Sequence, residues 1–371
     1  VDDARPEQRL PVLDLLRAAS ILVVVAYHLP VDVLKRTTVG PVLALGRNGG
    51  LGVWIFFTVS GFIITRNLLR ACGGDRRRID LRDFYRRRVA RLVPLALIVV
   101  FVSVAAALFL PDSPAKVAVF GRRDALDPWV LVGILTATLN VVAMAYGHWR
   151  AWGLALGVFW SLSVEEQFYF VFPWAFRRFD PRVLRAMLWV LVAAGPIVRI
   201  VIVETRPQQL FQVNPLSCFD GIAVGILLAH ALEHGNRLGA RLRAALTVAG
   251  GLVIAATLML PVVPLWFSAG LMPTMVVAGA AGVIYGAAEA PLSTPAWLGR
   301  PGELCYGIYL LHAPLLFVLR PLIDRVHPVI GLVVWIAVTI DAAVLSYRFI
   351  EGPANRWVRT ATAHRGALAG A

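Results

Sequence analysis

Asp14, Arg17 and His28 fall inside the apolar stretch Leu10–Leu29, which reads Leu13-Asp14-Leu15-Leu16-Arg17, then an aliphatic run, then Tyr27-His28. Ionisable side chains in such a segment are costly, face the protein interior and mark functional sites. Folded as a helix, the stretch puts Arg17 and His28 on nearly one face, roughly 16 Å apart along the axis. A cation deep in an apolar helix, with a proton-transfer group three turns further on, suits chemistry on a substrate with a charged end. The plainer alternative has the two side chains anchoring opposite helix ends at the membrane interfaces.

A second constellation is Phe159-Trp160-Ser161-Leu162-Ser163-Val164-Glu165-Glu166-Gln167-Phe168-Tyr169. Glu165 and Glu166 point about 100° apart on a helix, so one of them at most faces a given cavity. A glutamate that orients and charges a histidine makes it a general base; the alternative is a glutamate that pairs an arginine and ties helices together. The third group is Arg88 and Arg91, three residues apart on one helix face at a membrane boundary. Arginine forks match phosphate oxygens, although arginines beside a membrane helix also serve to fix orientation or to touch anionic lipid. Arg91 already lies within the next apolar run. Ser60, beside Gly61, reads as a small residue that lets helices approach closely, because no adjacent base would make it a nucleophile. His312 reads first as a hydrogen-bonded core histidine and second as a group that serves an acceptor. Cys72, Cys218 and Cys305 are scattered and odd in number, giving neither a disulfide framework nor a metal spacing. His148 has no second ligand at useful spacing, so no metal is expected.

The elements that position these residues follow from composition. The 371 residues are 58% apolar, and the mean hydropathy of +0.72 belongs to a polytopic membrane protein. Long apolar stretches recur at Leu10–Leu29, Leu51–Leu69, Val89–Leu110, Trp129–Tyr146, Phe159–Phe176, Met187–Val203, Ser217–Leu232, Ala244–Leu260, Phe267–Ala287, Leu304–Leu322 and Val329–Ile350. Two of them need not span. No polar stretch between them is long enough to bury a core of its own, so one membrane-embedded domain is expected over 1–371, with its core at 9–353. The first stretch carries internal charges and no small-residue cleavage pattern, unlike a signal peptide. The net charge of +14 comes from arginine, concentrated between Arg70 and Arg91. The positive-inside rule makes that loop cytoplasmic. The N-terminus and a tail at 354–371 then also become cytoplasmic, with about ten crossings, provided Trp129 to Phe176 makes one net crossing. The expected fold is therefore all-α, a polytopic helix bundle in a bacterial plasma membrane. Membrane lipid is an expected partner and nucleic acid is not.

Taken together, these segments resemble the acyltransferase-3 family of integral-membrane acyltransferases. The resemblance runs from Arg9 to Pro353 in six ordered pieces: Arg9 to Arg17 followed by His28, Gly52 to Phe62, Phe84 to Pro94, Trp160 to Tyr169, Cys305 to His312, and Tyr347 to Pro353. It implies a bundle of about ten helices that moves an acyl group, usually acetyl from acetyl-CoA, onto a hydroxyl of a sugar or small molecule. The family's essential histidine falls on His28, its arginine on Arg17, its arginine pair on Arg88 and Arg91, and its glutamate on Glu165, with Glu166 beside it. Cys305 stands where the family usually has serine, and a thiol hydrogen-bonds weakly. The chain is expected to handle its acceptor without an appended esterase-like domain.

The mechanism these readings suggest places the nucleotide and phosphates of acyl-CoA at Arg88 and Arg91. The pantetheine arm would pass Arg17 and bring the thioester to His28. His28 takes the acceptor hydroxyl's proton while Glu165 stabilises the imidazolium; an acyl-histidine intermediate is the second possibility. The acceptor is a sugar, a glycan or a natural product, with a diffusible small molecule or lipid-linked sugar preferred. Two rivals remain. A proton-coupled transporter or flippase would also use intramembrane Arg, His and Glu, but no internal repeat is evident. A structural scaffold would need His28 for folding and not for turnover.

Overall fold

The computed structural model describes residues 10–30, 33, 35, 40–146, 152–206, 211–233, 235, 238–288 and 301–358, and no strand occurs among them. The chain is an all-α membrane bundle. Its helices are α1 (Pro11–Tyr27), α2 (Gly40–Asn48), α3 (Gly52–Cys72), α4 (Leu81–Phe109), α5 (Pro114–Phe120), α6 (Pro128–Leu135), α7 (Leu139–Tyr146), α8 (Gly153–Gly157), α9 (Phe159–Arg178), α10 (Pro181–Thr205), α11 (Phe219–Glu233), α12 (Ala240–Met259), α13 (Met272–Ala287), α14 (Pro301–Ile323) and α15 (Pro328–Ser346). His148, His234, Arg359 and Arg365 lie outside the described residues.

Helix starts follow local chemistry. Proline, whose missing N–H costs nothing in a first turn, opens α1, α5, α6, α10 and α15. Asp80, Ser113, Asp127 and Asp180 cap α4, α5, α6 and α10 by accepting a hydrogen bond from a first-turn N–H. α3 stops at Gly73, whose φ of 52° is left-handed.

Among the described residues seven helical spans are long and apolar enough to cross a membrane: Pro41–Cys72, Leu81–Phe109, Pro181–Thr205, Ala240–Met259, Phe267–Ala287, Leu304–Ile323 and Pro328–Val358. The span containing α3 is 78% buried by protein and that of α12 only 17%, so α3 is the central post and α12 faces lipid. α1, α9 and α11 are further apolar helices of 17, 20 and 15 residues. The stretch Trp129–Tyr146 is one of those that do not form a continuous span. It breaks into α6 and α7 at Ala137, whose φ is 54°, and each eight-residue half is only about 12 Å long.

Close packing sets the direction of each helix. A Cβ on Gly61 would strike the Ile222 carbonyl, and one on Gly225 would strike that of Thr58. α3 and α11 therefore touch backbone to backbone, as small residues allow in membranes, and they run parallel, since Gly221 meets the Trp54 carbonyl and Gly225 that of Thr58. α1 lies antiparallel to α3, with Gly52 against the Ser20 carbonyl. α1 and α14 run parallel, since Gly302 meets Asp14 and His312 meets His28. α4 and α9 are antiparallel, because Tyr85 reaches Phe170 while Arg88 reaches Glu166.

Candidate functional site

Four helices wall a narrow cavity, and each contributes residues three or four positions apart, the spacing of one helix face. α1 supplies Ser20, Ile21 and Val24; α3 supplies Gly52, Val53, Phe56 and Phe57; α9 supplies Ser161, Leu162 and Glu165; α14 supplies Cys305, Tyr306 and Tyr309. On α1 these positions lie between Arg17 and His28. On α14 they lie between Gly302, which abuts Asp14 and Arg17, and His312.

At one end of the cavity the charged side chains gather. Arg88 grips Glu166 with two nitrogens: Nε donates to Oε1 at 2.9 Å and Oε2 at 3.2 Å, and Nη2 stands 2.8 Å from Oε1. The same guanidinium stacks over the Tyr169 ring at 3.3 Å and comes within 3.8 Å of Glu165. The Tyr169 side chain stands beside Glu165 and Ser60. Arg17 is different. Among the described residues it makes no ion pair, its Nε is buried without a hydrogen-bond partner, and its guanidinium lies 5.8 Å from the Phe56 ring. Arg91 has no carboxylate at ion-pair distance among the described residues; its charged neighbours are Arg17, Arg88, Glu351 and Glu165. Glu351 is buried and accepts a hydrogen bond from Ser346 at 3.0 Å.

At the other end lies a pair of histidines. His28 caps the C-terminus of α1, one residue beyond its last turn. Its Nδ1 is 3.2 Å from Nε2 of His312, with ring centroids 5.0 Å apart. The Nδ1 of His312 is 2.5 Å from the Tyr309 carbonyl, and the Trp335 indole donates to the His312 carbonyl at 2.9 Å. Between the two ends, Tyr309 and Ser161 share a 2.5 Å hydrogen bond.

The structure thus brings Arg17, Arg88, Arg91, Glu165 and Glu166 together and sets His28 beyond the cavity. The expected pairing of a glutamate with His28 is replaced. The hydrogen-bonded side-chain partner of His28 is His312, Glu166 is held by Arg88, and Glu165 lies beside the same guanidinium. The physical reason is position along α9: Glu165 lies one turn past Ser161, and it is Ser161 that shares the level of Tyr309. Tyr309 and His312 stand three residues apart on the face that Tyr306 continues, a Tyr-x-x-Tyr-x-x-His spacing that could have placed them in the site from sequence. A buried pair at Arg199 and Asp220 was also missed, though an arginine in the apolar run Met187–Val203 was its signal. Arg199 is fully buried and binds Asp220 at 2.9 Å, the Ser217 carbonyl at 2.5 Å and Thr274 at 2.7 Å. Gln167 braces the α6–α7 turn by donating to the Ala137 carbonyl at 2.8 Å and pairing with Asn140. Among the described residues no cluster of side chains suited to a metal ion occurs.

A family model described as an acyltransferase domain matches residues 10–348. The chain is 27% identical to the peptidoglycan O-acetyltransferase OatA of Listeria monocytogenes, over 94% of this chain and 56% of that protein. Identity is also 27% to the putative peptidoglycan O-acetyltransferase YrhL of Bacillus subtilis, over 93% and 54%, and to the O-acetyltransferase OatA of Staphylococcus aureus, over 94% and 57%. The chain therefore spans about half the length of the curated relatives it matches. No solved structure matches it.

Proposed function

The chain belongs to the acyltransferase family whose model covers residues 10–348, and from that premise we propose that it transfers an acetyl group to a hydroxyl of a cell-wall glycan. Family membership and seven apolar spans make it a multi-pass plasma-membrane protein. The donor we propose is acetyl-CoA or another acyl-CoA. The acceptor class is proposed from the peptidoglycan named in two of the relatives.

One observation carries this reading: a narrow cavity whose α1 wall, made by Ser20, Ile21 and Val24, lies on the stretch of helix between Arg17 and His28. Two guanidiniums without carboxylate partners, Arg17 and Arg91, suit the phosphates of a CoA-like donor. Arg88 is engaged by Glu166 and positions that end of the cavity. The apolar walls suit a thin acyl-carrying arm, and His28 stands where the thioester would arrive. The acceptor oxygen attacks the thioester carbonyl as His28 takes its proton; the carbon–sulfur bond breaks, and the CoA thiolate leaves and is reprotonated. Either glutamate would act on His28 only through the intervening Tyr309 and Ser161.

The proposed topology has ten crossings in one membrane domain, formed by α1, α3, α4 and α9–α15, with both termini cytoplasmic. Its support is twofold. The four packing directions described above are those that alternate crossings require, and of the helices between Trp129 and Phe176 only α9 is long enough to cross. That puts the arginine-rich loop before α4, and Arg177, Arg178, Arg182 and Arg185, on the cytoplasmic side. The CoA end of the cavity then faces the cytoplasm, where acyl-CoA is found.

The test is transfer of labelled acetyl from acetyl-CoA to soluble glycan fragments by purified protein, comparing wild type with His28→Ala. Label on the glycan from wild type, lost in a folded His28→Ala, supports the reading. Uptake of glycan into vesicles without thioester consumption would replace it with the transporter.

A further inference from the structure

We propose that His312 is a positioning residue for the transfer: it fixes the tautomer of His28 so that the Nε2 lone pair of His28 is the base. The inference rests on the reading of His28 as proton acceptor and adds which nitrogen acts and what holds it.

The argument follows the proton inventory of the pair. The Tyr309 carbonyl can only accept, and it lies 2.5 Å from His312 Nδ1, so that nitrogen carries hydrogen. A neutral imidazole has one N–H, which leaves His312 Nε2 as an acceptor. His312 is fully buried, and among the described residues no carboxylate is its hydrogen-bond partner, so its neutral form is the one the site can hold. The Nδ1 of His28, 3.2 Å away, must then donate to it. The Val24 carbonyl is a second acceptor for the His28 ring. The remaining nitrogen of His28, Nε2, keeps its lone pair. The chain of donors runs from His28 through His312 to the Tyr309 carbonyl and ends there.

This arrangement does the work often done by a carboxylate behind a catalytic histidine, with a neutral partner in its place. His28 needs such a partner because it lies past the end of α1. Its main-chain N–H is held by the Val25 carbonyl at 3.0 Å. His312 can fix that ring because it is fixed itself. Trp335, fully buried on α15, donates to its carbonyl and packs a ring 6.1 Å from its own. When His28 takes the acceptor's proton at Nε2, its Nδ1–H becomes a cationic donor and the bond to His312 strengthens. The contact is thus worth more in the transition state than before it, which is the condition for raising kcat.

The experiment compares His312→Leu, His312→Gln and His28→Ala in the full chain, with thermal unfolding recorded for each. For His312→Leu, kcat is expected to fall by roughly 10- to 100-fold, the range seen when a histidine loses its orienting partner, with the donor KM unchanged. The amide oxygen of His312→Gln can accept from His28 and is expected to recover most of that loss. Nitrogen NMR of wild-type protein with labelled imidazoles should show the Nδ1–H tautomer at both His28 and His312, whether or not a variant folds. A wild-type rate in His312→Leu, equal losses in the folded leucine and glutamine variants, or an Nε2–H tautomer at either histidine would overturn the inference while His28 stays essential. Full activity in His28→Ala would overturn the underlying reading of His28 as the base.

Discussion

Replacing Arg17 with glutamine should move stability and donor affinity in opposite directions. In the protein without ligand, Arg17 is a liability. Its Nε is buried without a partner, and it is the strongest charged neighbour of Arg91, ahead of the attractions from Glu351 and Glu165. Two unit charges in a partly buried setting repel by about 4 kcal/mol at ~4 Å and an effective dielectric of about 20, and by half that at twice the distance. Arg17 is half-buried, so solvent screening reduces the figure further. Against the relief stands the loss of its contact with the Phe56 ring, about 0.5–1 kcal/mol, and of some stem packing. The orphaned Nε, whose desolvation costs about 1–3 kcal/mol, tips the sum. Arg17→Gln should therefore match wild type in unfolding temperature or exceed it by about 2 °C.

Donor binding should respond the other way. A charge-assisted hydrogen bond contributes about 1.5–3 kcal/mol, so losing one from Arg17 to a donor phosphate raises the donor KM about 10- to 100-fold. Arg17→Lys keeps the charge without the fork and should fall between. The assay pairs thermal unfolding in detergent with donor-dependent rates at saturating acceptor. A drop of several degrees together with an unchanged donor KM would refute the reasoning and make Arg17 a structural pin.

Four further outcomes follow from the same geometry. Glu166→Gln removes the anion that Arg88 grips through two nitrogens and should lower stability by about 1–3 kcal/mol while slowing transfer, measured by unfolding and initial rate. Arg199→Leu strands the Asp220 carboxylate, whose Oδ1 already lacks a partner, and should cost about 3–5 kcal/mol; the double change Arg199→Met with Asp220→Leu should recover much of that loss in a thermodynamic cycle. Gly225→Ala puts a methyl group on the Thr58 carbonyl and should cost at least about 2 kcal/mol, visible as early unfolding. Val24→Phe grows into the cavity midway between Arg17 and His28 and should reduce the donor-dependent kcat/KM by at least about tenfold, with an unfolding change within about 1 kcal/mol because empty space receives the ring.

The sequence displayed the membrane character and the site's charged end because both depend on local signals. Arginine in an apolar run is conspicuous, as Arg17 and Arg91 were, and hydropathy alone marks helices such as α4, α10 and α12. Partner choice across helices was not legible. Glu165 and Glu166 are candidates for His28 in the sequence because a carboxylate can orient and charge a histidine, but chemistry of that kind does not say which helix faces meet. The phase of α9 aims Glu166 at Arg88 and leaves the level of Tyr309 to Ser161. His312 read as a core histidine because nothing in its own segment shows what stands opposite; only the packing of α14 alongside α1 brings it to His28. The break at Ala137 was equally hidden, since Trp129–Tyr146 is apolar throughout and its turn depends on the amide of Gln167, thirty residues away.

The cavity wall also bears on what can pass through it. A transported sugar must exchange its hydration for hydrogen bonds along the whole route, because each unmatched hydroxyl in an apolar setting costs several kcal/mol. The hydroxyl hydrogens lining this cavity are already donated within the protein. Ser20 donates to the Arg17 carbonyl at 2.8 Å. Tyr306 donates to the Leu92 carbonyl at 2.5 Å, and Tyr309 to that of Val158 at 2.9 Å. Ser161 is held by Tyr309. What remains for a ligand in the middle of the passage is the apolar surface of Ile21, Val24, Val53, Phe56, Phe57 and Leu162. A surface of that kind accepts a flexible, weakly polar arm and rejects a sugar ring. On the proposed reading the hydroxylated acceptor would meet His28 from the opposite side to the donor, so that only the acyl group crosses between them. Transfer across the membrane without transport of either substrate is what this distribution of spent and unspent polar groups favours.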